Sequence, residues 1–128
     1  MKKDVRFLMC ETCKKIVVEV KDSVVPVMCC GKKMVELVPN TTEAAVEKHF
    51  PVIEVEGSSV KVSVSTVEHP MLDVHWIEWI CLQTEQGVQF KYLDPGEKPV
   101  AVFALAEGDK VVAAYEYCNL HGLWKTEA

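Results

Sequence analysis

The chain has 128 residues, which suits one ordinary domain or a small module joined to a domain of about 90 residues. Apolar residues make up 49% and charged residues 26%, as in globular proteins, and no apolar run approaches the roughly 18 residues that span a bilayer. The net charge of −5 is uneven, because residues 1–38 hold eight Lys/Arg and five Asp/Glu, whereas the remainder holds six and fourteen. An acidic major domain argues against nucleic acid as a partner, and the absence of a signal-peptide pattern predicts a cytoplasmic protein without membrane association.

Four of the six cysteines lie in the first 38 residues, as a Cys-x-x-Cys pair and an adjacent pair: Cys10, Cys13, Cys29 and Cys30. Two such pairs can supply a tetrahedral thiolate site for zinc or iron. Neighbouring side chains normally diverge, so the adjacent pair needs a sharp backbone bend, which the following Gly31 favours. The pattern predicts a metal site that stabilises a module too small for its own core. Structural zinc, vicinal disulfides and a redox-active pair are the alternatives.

The segment VPNTTE (38–43) predicts a linker, because Pro39 and Asn40 interrupt regular structure. The charge also changes sign there, which divides the chain into domains at 1–38 and 39–128. Just after the boundary, TEAAVEKH (42–49) has the pattern of about two helical turns, capped by Thr41 or Thr42.

The rest of the chain alternates apolar and polar residues with a period of two, which is typical of strands. The predicted strands are VKVSVSTV (60–67), VHWIEWI (74–80), GVQFKYL (87–93), PVAVFAL (99–105) and VVAAYEY (111–117). Turn sequences such as EGSS (56–59) and EQG (85–87) separate them. Short strands at near-regular spacing predict an all-β fold, an antiparallel sandwich.

The larger domain holds all four histidines and two cysteines, and most of them are concentrated in short segments. The candidate ligands are His49, His69, His75, Cys118 and His121. A single histidine would more often be a surface or hydrogen-bonded core residue, but Cys118 and His121, three apart, can present sulfur and nitrogen to one ion. Cys81 lies in a predicted strand outside both groups, and we expect it to be buried and inert.

Five ligands would exceed the four of a structural zinc site, and mixed imidazole and thiolate ligation suits iron or copper. An ion that prefers octahedral geometry would keep one position open for a small reactant. Ferrous iron with one thiolate would carry a charge of about +1, which attracts an anion. Lys48, beside His49, could steer that anion, although composition alone favours Glu47 and Lys48 as solvated charges on a loop or helix end.

Together these motifs identify a resemblance that covers residues 5–125. CETC and CCGKKM resemble the desulforedoxin module, and EKHFPVI, HPMLDVHWIEWI and YCNLHGLWK resemble the catalytic domain of the desulfoferrodoxin family, the two-iron superoxide reductases. The resemblance implies a desulforedoxin-like four-cysteine module followed by an immunoglobulin-like β-sandwich, and a homodimer. It also implies one iron at the four-cysteine site, and a second iron with His49, His69, His75 and His121 equatorial and Cys118 axial.

The implied reaction is the one-electron reduction of superoxide to hydrogen peroxide without dioxygen formation, as detoxification in an anaerobe or microaerophile. Reduced rubredoxin or a similar protein would be the electron donor. The resemblance assigns Lys48 to superoxide attraction and proton supply, and Glu47 to ligation of the ferric resting state. The main alternative is a non-catalytic iron or copper electron-transfer protein. Copper sites usually combine two histidines with a later axial methionine, whereas Met71 here precedes Cys118. A regulatory metal-binding module is a third class.

Overall fold

The computed structural model describes residues 4–41, 49–65 and 69–128. The chain forms two compact units, Met1–Val38 and Pro39–Ala128. The described residues form strands and turns and contain no helix, and therefore none that could cross a membrane. The predicted helix at 42–49 lies, apart from His49, outside the described residues.

Between residues 4 and 38, the first unit forms five short strands: β1 (Arg6–Met9), β2 (Ile16–Glu19), β3 (Met28–Cys29), β4 (Lys32–Lys33) and β5 (Val35–Glu36). Strands β2, β1 and β5 form an antiparallel sheet in that order, and β3 and β4 form a separate two-stranded ribbon. The buried cluster of this unit comprises Leu8, Cys10 and Met34. So small a core needs an additional source of stability, such as a bound metal.

The described residues of the second unit form seven strands: β6 (Pro51–Glu56), β7 (Ser59–Val64), β8 (Ile77–Thr84), β9 (Val88–Tyr92), β10 (Val100–Ala104), β11 (Val111–Cys118) and β12 (Gly122–Glu127). One antiparallel sheet has the order β10-β7-β6, and the other has the order β12-β11-β8-β9. Their apolar faces meet in one core, which includes Val62 and Phe103 from the first sheet and Ile80 and Leu82 from the second. The all-β fold and the antiparallel, immunoglobulin-like sandwich are thereby confirmed.

Two strands differ from the sequence prediction at the ends that face the ligands. The strand predicted at 74–80 begins only at Ile77, because Leu72 and His75 close a tight turn with reciprocal backbone hydrogen bonds of 2.9 and 3.0 Å. The strand predicted at 60–67 ends at Val64, because Ser65 adopts a φ of 71°. The sequence analysis also did not predict β6 and β12.

The segments that carry the candidate ligands of the second unit are positioned by the ends of the strands next to them. Cys118, the last residue of β11, pairs with Ile77 at the start of β8 and with Gly122 at the start of β12. His121 therefore lies in the tight turn between β11 and β12, where Gly122 has a φ of 81°. His75 lies just before β8, and His49 lies two residues before β6.

Candidate metal centres

The four cysteines of the first unit lie close together. Their sulfur atoms are all within 4.8 Å of one another. The Sγ atom of Cys29 is 3.7 Å from that of Cys13 and 4.0 Å from that of Cys30. A tetrahedron with metal–sulfur bonds of about 2.3 Å has edges of about 3.8 Å, so these spacings fit one ion. All six cysteines, which lie in the described parts of the chain, are free thiols, and this disfavours the disulfide alternative.

The adjacent pair converges through a sharp chain reversal. Strands β3 and β4 pair Cys29 with Lys32, so only Cys30 and Gly31 make the turn. Their φ angles are 50° and 75°, both in the left-handed region. Glycine adopts this region at little cost, whereas Cys30 does so less readily. The bend that the sequence predicted at this pair is confirmed.

The acid–base properties of the four thiols also favour a bound cation. The backbone N–H of Cys13 donates to the Cys10 sulfur at 3.4 Å and lowers the pKa of Cys10 to about 6. Hydrogen bonding with the Cys13 and Cys10 sulfurs raises the pKa of Cys29 to about 12. The group therefore resists becoming four thiolates together without a cation that offsets their charge.

In the second unit, ligand atoms of His49, His69, Cys118 and His121 lie within 4.8 Å of one another. The ring of His75 lies beside this group, 4.7 Å from the His69 ring and 5.0 Å from the His121 ring, measured between centroids. The centroid of the His49 ring is 4.7 Å from that of His69 and 4.9 Å from that of His121. The four imidazoles thus form a closed square with edge-to-face contacts, although the ligand atom of His75 is not part of the 4.8 Å group.

The histidines have defined orientations. Nδ1 of His69 is 2.7 Å from the carbonyl oxygen of Pro70, which can only accept, so Nδ1 is the donor and Nε2 is available to a metal. Nδ1 of His49 lies 3.6 Å from Oε1 of Glu116. His121 has the opposite orientation, with Nδ1 3.9 Å from the Cys118 sulfur. One ion can span that gap, because metal–nitrogen and metal–sulfur bonds total about 4.4 Å.

The Cys118 sulfur is buried and receives backbone hydrogen bonds. Burial raises its pKa, while the N–H groups of Leu120 and His121 lower it. The N–H group of Asn119 donates instead to the carbonyl oxygen of Trp76 at 3.3 Å. The N–H groups of Leu120 and His121 therefore favour the thiolate form of Cys118, whereas the N–H group of Asn119 is directed elsewhere.

Glu116 is a buried residue that the sequence analysis did not identify. It is fully buried, and burial raises the pKa of its carboxyl group well above 4.5. The sequence could have indicated that Glu116 lies near the site. Residues two apart on a strand point to the same face, and Glu116 precedes Cys118 by two. The carboxyl group provides a polar neighbour for His49.

Trp124 contributes an apolar wall to the site. Its ring stacks on His49 at a centroid distance of 4.9 Å, and its Nε1–H donates to the carbonyl oxygen of His121 at 3.1 Å. Glu47 and Lys48 lie outside the described residues.

Cys81 belongs to neither group. It is fully buried in β8, and burial raises its pKa to about 12. At pH 8 only about one molecule in 10,000 would carry the reactive thiolate. We expect iodoacetamide to leave Cys81 unmodified in the folded, iron-loaded protein and to modify it after denaturation, as measured by peptide mass spectrometry. Rapid modification of the folded protein would contradict its assignment as buried and inert.

The donor sets fit two iron ions per chain. Four thiolates suit a tetrahedral iron site, and several imidazoles with one thiolate suit a second iron. The sequence model of the Desulfoferrodoxin family matches residues 41–127.

Relatives with similar sequences extend this match over the first unit. The chain is 51% identical over 102 residues to desulfoferrodoxin from Nitratidesulfovibrio vulgaris, covering 79% of each chain. It is 45% identical over 118 residues to desulfoferrodoxin from Desulfarculus baarsii, covering 92% of each. Among solved structures, the superoxide reductase from Treponema pallidum is similar with a TM-score of 0.83 and 38% identity, over 98% of this chain and 100% of that one. The chain therefore belongs to the desulfoferrodoxin family.

Proposed function

We propose that this protein is a superoxide reductase, in which superoxide takes up one electron and two protons and leaves as hydrogen peroxide. The observation that carries this proposal is the square of four imidazoles beside one buried cysteine at an end of the sandwich. Superoxide reductase is the printed name of the structure from Treponema pallidum, which is similar over nearly the whole chain. The reaction removes a toxic oxygen species, as expected for detoxification in an anaerobe or microaerophile.

We assign the first iron to Cys10, Cys13, Cys29 and Cys30, and the second iron to His49, His69, His75, His121 and Cys118. When bound at the second site, iron supplies a one-electron ferrous–ferric couple and an open coordination position. The four histidine rings would bind the ion through nitrogen, and the N–H groups of Leu120 and His121 favour the thiolate form of Cys118 that would bind it through sulfur. Neutral imidazoles with a single thiolate leave a positive site, which attracts an anion.

The residues that would bring superoxide and protons to the site belong to the segment before His49. We propose that Lys48 attracts superoxide and supplies protons, and that Glu47 ligates the ferric resting state. The support is the family motif EKHFPVI, which this chain contains at 47–53. A cationic side chain beside a positive site increases the rate of encounter with an anion.

The remaining assignments follow the same resemblance. Residues 1–38 form the desulforedoxin-like iron module, and residues 39–128 form the catalytic sandwich. Reduced rubredoxin or a similar small protein supplies the electron, and two copies form a homodimer. The cytoplasmic location stays a prediction.

A copper electron carrier agrees less well with the site. Such a site uses two histidines, a cysteine and a weak axial methionine. Here four imidazoles meet, and the sulfur of Met71 accepts a hydrogen bond from the N–H group of Ile77 at 3.4 Å. The ligand set therefore favours iron over copper.

The proposed function can be tested by mixing the reduced, iron-loaded protein with superoxide, which pulse radiolysis generates in oxygen-saturated formate solution by one-electron reduction of dioxygen. We expect rapid oxidation of the second iron, seen as the growth of a sulfur-to-iron absorption band that Cys118→Ser abolishes. A reduced second iron that superoxide leaves unchanged would refute the proposal.

Replacement of Lys48 by isoleucine should slow the encounter several-fold at low ionic strength, because one positive charge near the site is lost. The difference should shrink as added salt screens the charge. Lys61→Ile, which removes the same charge from an exposed position in β7, is the matched control and should leave the rate unchanged. Equal rates for wild type and Lys48→Ile at low ionic strength would exclude the steering role.

A further inference from the structure

Asn119 joins two of the segments that carry the proposed ligands of the second iron. It is the first residue of the turn between β11 and β12, directly after Cys118. Its side-chain Oδ1 accepts from the N–H group of Trp76 at 3.0 Å, and its Nδ2 donates to the carbonyl oxygen of Val74 at 3.0 Å. Its own N–H group donates to the carbonyl oxygen of Trp76 at 3.3 Å. Three hydrogen bonds therefore bracket His75 on both sides.

Two side chains beside His75 are exposed, whereas Met71 earlier in the segment packs against the core. Leu72 and Val74 are 61% and 74% exposed. The turn is closed internally by the two backbone hydrogen bonds between Leu72 and His75. The flanking residues are also held from outside, because the Gly96 N–H group donates to the carbonyl oxygen of Met71 at 2.8 Å and Nε1–H of Trp76 donates to the carbonyl oxygen of Leu93 at 3.3 Å. The bonds from Asn119 tie this unit to the strand end that carries Cys118 and to the turn that carries His121.

We propose that Asn119 is a positioning residue, which fixes His75 relative to Cys118 and His121 and thereby sets the iron affinity and ligand field of the second site. This inference rests on the five-ligand assignment made in the proposed function. The position needs an amide, because Trp76 offers a donor and Val74 offers an acceptor. Aspartate keeps the acceptor and loses the donor, while alanine loses both.

The test uses the full-length, iron-loaded protein and needs no superoxide. Asn119→Ala should retain the first iron but lose the second to a chelator at least about 10-fold faster than wild type, as for other residues that orient metal ligands. The sulfur-to-iron absorption and the electron paramagnetic resonance spectrum of the second iron should shift. Asn119→Asp should give an intermediate rate, because it retains the bond from the Trp76 N–H group.

Asn40 offers a matched control in the same unit. It makes the same three kinds of bond, from its N–H group to the carbonyl oxygen of Leu123 (3.0 Å), from Nδ2 to the carbonyl oxygen of Lys125 (3.1 Å), and from the Lys125 N–H group to Oδ1 (2.9 Å). The segment that it holds contains none of the five proposed ligands, although Trp124 within it packs on His49. Because Asn40 has a φ of 63°, alanine there adds backbone strain. Asn40→Ala should therefore lose at least as much stability as Asn119→Ala.

The two variants separate positioning from general stability. We expect Asn40→Ala to retain the second iron and its spectrum despite its lower stability. Equal loss of the second iron from both variants, or an unchanged spectrum and chelation rate in Asn119→Ala, would overturn the inference. A wild-type protein that bound no iron at the second site would instead refute the proposed function, so the two failures are distinguishable.

Discussion

Replacement of Cys118 by serine should lower superoxide reduction by more than about 100-fold, because loss of residues that merely orient metal ligands already costs 10–100-fold. Cys118 is fully buried, and Nδ1 of His121, a proposed co-ligand, lies 3.9 Å from its sulfur. A hydroxyl group is a poorer ligand and electron donor than a thiolate, so iron would be held less tightly and would lack its thiolate donor. His121→Ala should have a similar effect.

Comparison of Cys13→Ser with Cys118→Ser tests whether superoxide is reduced at the second site and not at the first. Cys13 belongs to the other compact unit and is exposed, so its replacement should disturb the first iron and largely spare superoxide reduction. The measurement is steady-state superoxide consumption with a reductant, together with the iron content of each variant. If Cys13→Ser were as damaging as Cys118→Ser, the first iron would be required for the reaction.

Replacement of Phe103 by alanine should destabilise the second unit by about 3–5 kcal/mol, the usual cost of emptying a large core position. Phe103 is 1% exposed in β10, and its ring belongs to the core where the two sheets meet. Because metal sites at strand ends depend on the packing of those strands, the variant should also hold the second iron less tightly.

The neighbouring Val102 provides the control for this core substitution. It lies next to Phe103 on the same strand, points to the opposite face and is 55% exposed. Val102→Ala should change the free energy of unfolding by about 0.5 kcal/mol or less. Urea unfolding at equal iron loading, followed by tryptophan fluorescence, measures both changes. A similar decrease in the free energy of unfolding of the two variants would contradict the assignment of Phe103 to the core between the two sheets.

The first metal site was predictable because its geometry is local. The spacing of Cys10 and Cys13 and the adjacent pair Cys29 and Cys30 each define one tight turn, and Gly31 marked the bend that the structure contains. Only the choice between zinc and iron needed the family resemblance, since four thiolates suit either metal.

The second site was harder to predict, because its residues come from separate strand ends. Spacing linked Cys118 to His121, and the concentration of histidines made His49, His69 and His75 candidates. Their distances could not be predicted, since strand pairing rather than chain order sets them. The turn before β8, which makes the strand begin only at Ile77, could not be predicted, because the sequence VHWIEWI alternates like a continuous strand. The hydrogen bonds of Asn119 depend on that same turn, and so they too became visible only in the structure.

The product of the reaction tests the central claim most directly. Superoxide should be consumed by the iron-loaded protein in the presence of a reductant, while hydrogen peroxide and dioxygen are measured together. A reductase adds one electron from the donor to each superoxide, so we predict nearly equal amounts of peroxide formed and superoxide consumed, with no dioxygen from the catalysed path. Dioxygen at about half the amount of superoxide consumed would identify a dismutase and contradict the account.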